Sequence, residues 1–136
     1  MNKDELVQEI GRMLIQDPRI SSQPWQHLVI VAQIADNSAQ VNGFLFDSAG
    51  KATPTAPKNT RVIDKFEELL NVMAEQDGEF WKACLVRIDP LTGNISIDFE
   101  FDHPEKWLIS PSTITEMAEK LRPDGMICVK KILPDN

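Results

Sequence analysis

The chain has 136 residues, 42% of them hydrophobic, and 14 Lys and Arg against 21 Asp and Glu, for a formal net charge of −7. That length fits one domain, residues 1–136, able to bury a real core. The acid surplus argues against a nucleic-acid binder, which must neutralise phosphates with Lys and Arg, and against docking on an anionic membrane; it suits a basic protein partner.

Residues Lys3 to Gln16 place Leu6, Val7, Ile10, Met13 and Leu14 at helical spacing, and Pro18 follows as a stop. Ile20 to Pro24 reads as a loop. His27 to Ala35 is rich in β-branched residues and reads as a mostly buried strand, with His27 at its entry and Trp25 packed into the core just before it. Asp36-Asn37-Ser38 supplies turn chemistry. Gln40 to Asp47 then returns as a second strand, with Phe44 and Phe46 on one face and Val41, Gly43 and Leu45 on the other. Ser48 to Asn59 is a long surface loop with room for a short edge strand near Lys51 to Thr53. Thr60 to Gln76 is again helical, through Val62, Ile63, Phe66, Leu69, Leu70 and Met73, and Gly78 suits a left-handed cap.

A second hairpin follows. Phe80 to Asp89 forms one strand and Ile95 to Asp102 the other, around a turn at 89–94 that holds Pro90 and Gly93. Ser110-Pro111 opens a last helix as cap and first residue, and Ile114, Met117, Ala118 and Leu121 mark its buried side. The expected core spans 3–122, and 123–136 is a tail in which Met126 to Val129 suits a short added strand. The order helix, hairpin, helix, hairpin, helix gives an α+β fold: a single antiparallel sheet of four or five strands, with three helices packed on its apolar side.

The run Ile95-Ser96-Ile97-Asp98-Phe99-Glu100-Phe101-Asp102 alternates without a fault, so one side of this strand is apolar and the other acidic. Stacked carboxylates require a cation: a metal, neighbouring Lys or Arg, or a basic partner. Setting Ile88 opposite Ile95 places Arg87 by Ser96, Leu85 by Asp98, Ala83 by Glu100 and Trp81 by Asp102. An aromatic residue ringed by charge has the composition of a recognition surface. The expected partner-binding residues are therefore Trp81, Asp98, Glu100, Asp102, Glu105 and Trp107.

The enzymatic alternatives have less support. Asp98, Glu100, Asp102 and His103 carry oxygens and nitrogens suited to a metal, and a metal-dependent hydrolase built on them is one alternative. It would want a basic path for an anionic substrate, which the sequence lacks. No phosphate loop, dinucleotide fingerprint, nucleophile elbow or zinc spacing is present, so no catalytic residue and no cofactor is assigned. Cys84 and Cys128 sit among apolar residues, as reduced thiols of a cytoplasmic chain do, although spacing leaves a disulfide between them open. The first residues have no apolar signal-peptide core, and no apolar run approaches the roughly 20 residues of a membrane helix.

One family pattern joins these pieces. The series runs from an amphipathic helix to Trp25 before a strand, a strand bearing Phe44 and Phe46, and a helix. It ends in Trp81-Lys82-Ala83-Cys84-Leu85 and Gly93-Asn94-Ile95-Ser96-Ile97-Asp98-Phe99-Glu100-Phe101-Asp102. It resembles the YezG-like immunity proteins of bacterial polymorphic toxin systems, which have a Trp-bearing strand, a Gly turn and an Asp-Phe-x-Phe/Tyr-Asp strand end. The likeness covers residues 1–110, and the part from His103 onward departs from it. It implies a small cytoplasmic, non-enzymatic antidote that binds a cognate, basic toxin domain, in many cases a nuclease. A non-enzymatic adaptor without a toxin is the remaining alternative.

Overall fold

The computed structural model describes residues 2–35, 38–89 and 92–122. Helix α1 spans Lys3–Gln16. Its first turn is closed reciprocally, because Asn2 Oδ1 accepts from the Glu5 N–H at 2.8 Å while the Glu5 carboxylate accepts from the Asn2 N–H at 3.1 Å. Leu6, Ile10 and Leu14 form its buried stripe. Pro18 does more than end α1: with φ preset for a helix, it opens the single turn α2, Pro18–Ser21, where the sequence suggested a loop from Ile20.

The sheet has five strands, β1 (His27–Ala35), β2 (Ser38–Phe46), β3 (Ala52–Thr55), β4 (Ala83–Asp89) and β5 (Asn94–Glu100), in the order β3-β2-β1-β4-β5. All neighbours are antiparallel. Between β3 and β4 runs α3, Arg61–Asp77, which carries the chain from the β3 edge back to the free side of β1. It ends on Gly78 at φ 69°, with the Gly78 N–H on Ala74 O and the Glu79 N–H on Met73 O. Glycine takes that left-handed conformation without a Cβ clash.

The α+β class and the single antiparallel sheet are as the sequence implies. The helices, however, do not share one side. On the first face α1 and α3 pack over Leu28, Ile30, Ala32, Val41, Leu45, Cys84, Val86 and Ile88. On the second face Val29, Val31, Phe44, Phe46, Ala83 and Leu85 are covered by Trp107, Ile109, Met117 and Leu121. That cover is a 3-10 turn, Pro104–Trp107, followed by α4, Ile114–Lys120. Polar side chains of the sheet tie it down: Gln33 Nε2 donates to Pro104 O, and Gln40 Nε2 and Asn42 Nδ2 donate to Ile109 O at 3.3 and 3.4 Å.

Helix α4 starts later than Ser110-Pro111 suggests. Thr113 Oγ1 donates to Leu108 O at 2.9 Å and accepts from the Ser110 N–H at 3.0 Å. This side chain closes 110–113 as a turn and delays the helix to Ile114. The turn residues Asp36, Asn37, Pro90 and Leu91, the 123–136 tail with its suggested strand, and Cys128 lie outside the described residues. Cys84 is a buried thiol, and its burial pushes the thiol well above the ordinary range.

Asp17, 2% exposed, links the helical layer. Its carboxylate accepts the N–H groups of Arg19 and Lys58 at 3.0 Å and of Asn59 at 2.8 Å, joining the start of α2 to the approach to α3. Burial alone pushes this carboxyl up, but the backbone N–H groups of Asn59, Lys58, Arg19 and Ile20 together outweigh it and hold the group below its usual range. The folded-state value is thus depressed. The stabilisation is fully present above about pH 4 and is lost as pH falls through the folded value. Asp17→Ala is expected to lower stability at neutral pH by roughly 2–4 kcal/mol. In urea titrations across this range the variant should lose less stability on acidification than the wild type.

Candidate functional site

The pairing of β4 with β5 sets Ile88 opposite Ile95, Val86 opposite Ile97, Cys84 opposite Phe99, Leu85 opposite Asp98 and Ala83 opposite Glu100. Side-chain alternation then sends Ile95, Ile97 and Phe99 toward α1 and α3, where they pack partly buried. It sends Ser96, Asp98 and Glu100 to the second face. There they form an outer margin beside the Trp107 cover rather than an open surface.

The acids find cations within the protein. Arg87, across the ladder, reaches Asp98 with Nη1 to Oδ2 at 3.1 Å. Lys106, in the 3-10 turn, lies 3.5 Å from Glu100 Oε1, and its ammonium stands 5.2 Å from the centre of the Trp107 ring. Glu100 Oε2 also accepts the N–H groups of His103 at 3.1 Å and Asp102 at 3.2 Å. The His103 and Asp102 N–H groups, with Lys106 beside them, hold the Glu100 carboxyl below its usual range. Glu100 therefore organises the turn by which the chain leaves β5. Asp98 remains open to solvent, with a side chain 61% exposed. Asp102 and Glu105 are exposed, and His103 Nδ1 lies 3.5 Å from Glu105 Oε1. Among the described residues no three His, Cys, Asp or Glu side chains are grouped so as to hold a metal ion.

The two tryptophans require a correction. The sequence register set Trp81 beside Asp102, but β4 begins only at Ala83 and the chain bends at Lys82. The bend breaks the alternation and turns Trp81 to the first face, where it is 1% exposed with its ring 5.6 Å from that of Phe99. Trp107, 6% exposed, is part of the lid over Leu85 and Ala83. Neither ring is presented to solvent, and the apolar partners expected beside the acids, Ala83 and Leu85, are covered. Asp98, Glu100, Asp102 and Glu105 thus share one margin, while Trp81 lies across the sheet from them.

The exposed aromatics are others. Phe80 is 68% exposed and Phe101 is 36% exposed. They flank the same end of the antiparallel β4–β5 hairpin, Phe80 just before β4 and Phe101 just after β5, next to Asp102. Alternation assigned Phe101 to the core. The strand stops at Glu100, whose carboxylate gathers the next two N–H groups, so the period ends one residue too early. For Phe80 the available signal was its position right after the Gly78 cap, ahead of the strand proper.

No protein-family model matches the sequence, and no curated protein matches it. The placement of Trp81 can be checked by stability. Trp81→Ala should cost about 3–5 kcal/mol in chemical denaturation. Because the indole N–H has no hydrogen-bond partner among the described residues, Trp81→Phe should cost only about 1–2 kcal/mol. A surface tryptophan would give near-zero changes for both.

Proposed function

We propose that the protein is a small binding protein that neutralises a cognate, basic toxin domain by direct contact, in the manner of the YezG-like immunity proteins its sequence resembles. The observation that carries this reading is the hairpin end itself: two exposed phenylalanines, Phe80 and Phe101, where the outgoing strand and the turn after it carry exposed carboxylates at Asp98, Asp102 and Glu105. Exposed aromatic rings rimmed by charge are the composition of binding hot spots. An acidic chain of net charge −7 also speeds encounter with a basic partner.

The electrostatics fit exchange of partners. Arg87 and Asp98 form a solvent-exposed pair, worth no more than about 1 kcal/mol, so a basic group of a partner can take the place of Arg87 at small cost. Glu100 is different, because its carboxylate is spent on two backbone N–H groups and Lys106. In this reading Glu100 shapes the surface, and Asp98, Asp102, Glu105, Phe80 and Phe101 make the contacts. Trp107 contributes by holding the lid, not by touching the partner.

The partner to test is the product of the reading frame adjacent to this gene, with a toxin-like domain. Calorimetric titration should give binding that weakens with added salt. Phe101→Ser combined with Phe80→Ser should weaken it by at least ~100-fold, as expected for two aromatic anchors at about 1.4 kcal/mol or more each. Asp98→Asn with Asp102→Asn should act mainly on the association rate and on the salt dependence. Unchanged affinity in the double Phe variant would remove this surface from the interface.

A further inference from the structure

We propose that a pocket on the second face, at the hairpin-turn end of the sheet, binds a phosphate-bearing small molecule. The pocket has a volume of about 410 Å³ and lies between the start of β1, the turn end of β4–β5 and Arg122, two residues past the end of α4. Its polar walls are His27, Arg87, Asn94, Ser96 and Arg122, with Asp89 as the sole carboxylate among its described lining residues. Asp89 already has an interaction of its own. Leu28, Val29 and Ile88 supply the apolar part of the wall, and the polar part holds two guanidinium groups, each already touching one carboxylate, with an imidazole, an amide and a hydroxyl.

Arg122 makes the case specific. It is 6% exposed and is clamped on two sides, by Nη2 on Glu119 Oε1 at 2.7 Å and by its Cζ 5.6 Å from the centre of the Phe46 ring. Its Nε and Nη1 have no hydrogen-bond partner among the described residues and are shielded from solvent, so an anion in the pocket meets them only when the side chain turns outward. Buried donors of a charged group are costly to leave unpaired, and an oxyanion with several lone pairs is the ligand that meets a planar guanidinium. Arg87 adds the second positive charge at the same wall, with Nη1 fixed by Asp98 at 3.1 Å. The volume is of the size that takes up organic ligands, so a phosphomonoester fits the site better than a bare ion.

The site lies toward the other end of the hairpin from Phe80 and Phe101 and shares with that surface the Arg87–Asp98 bridge, and the proposal does not rest on the toxin-binding reading. The probe is phenyl phosphate, titrated calorimetrically into the full chain at ionic strength held constant with sodium chloride. The expected result is saturable one-to-one binding that Arg87→Gln weakens by about tenfold and Arg122→Lys weakens by a similar factor, through loss of one charge-assisted contact or of the planar fork. Should Arg122→Lys fail to fold, Arg87→Gln at the exposed wall carries the test alone. Absence of saturable binding to the wild type, or equal affinity in wild type and Arg87→Gln, would overturn the proposal.

Discussion

The central strand, β1, is apolar on both faces, and both must be covered. Leu28, Val29, Ile30, Val31 and Ala32 are consecutive, and none is more than 1% exposed. A strand with that sequence cannot leave either side to water. One side is met by α1 and α3, which already carry matched apolar stripes. The other exposes Val29 and Val31 with Phe44, Phe46 and Leu85, and burying five such side chains contributes roughly 10 kcal/mol, comparable to the whole stability of a domain this size. The segment from Pro104 to Leu121 is therefore a structural requirement, although its helices are only four and seven residues long.

That lid decides where polar chemistry can be placed. It covers the middle of the second face and leaves two margins along β5 and its neighbours. One margin, at the open end of the hairpin, holds Asp98, Glu100, Asp102 and Glu105 with Phe101 and Phe80 at the corner. The other, toward the hairpin turn, holds Arg87, Ser96, Asn94, His27 and Arg122. Arg87 is common to both through its bridge to Asp98. The ladder of carboxylates thus obtains part of its counter-charge from within the fold, by Arg87 and Lys106, and the remainder is exposed to solvent.

Much of this was legible from residues. Periodicity located α1 and α3, Gly78 marked a cap, the alternation of Ile95 to Glu100 set which side chains face inward, and the simplest hairpin register paired Ile88 with Ile95, as β4 and β5 do. Periodicity also sorted Phe44 and Phe46 from Val41 and Leu45. It does not say which sorted face is covered. The unbroken apolar run in β1 carried that information, since a strand with one solvated face alternates. Trp81 and Phe101 were misplaced for a shared reason. Each lies just outside a strand end, where a bend at Lys82 or a carboxylate-gathered turn at Glu100 replaces the period of two. Ser110-Pro111 was a sound helix-start signal overridden by the Thr113 hydroxyl, a local hydrogen bond that composition does not reveal.

In the proposed function the partner docks on the open end of the β4–β5 hairpin and not on the helical layer. Backbone amide shifts of isotopically labelled protein, followed during titration with the proposed partner, the toxin-like product of the adjacent reading frame, distinguish the two surfaces. Docking at the hairpin end gives the largest perturbations at Phe80, in β5 from Asp98 onward and through 101–106, with α1 and α3 little changed. Perturbations concentrated on the outward faces of α1 and α3, with the hairpin end unmoved, would contradict it.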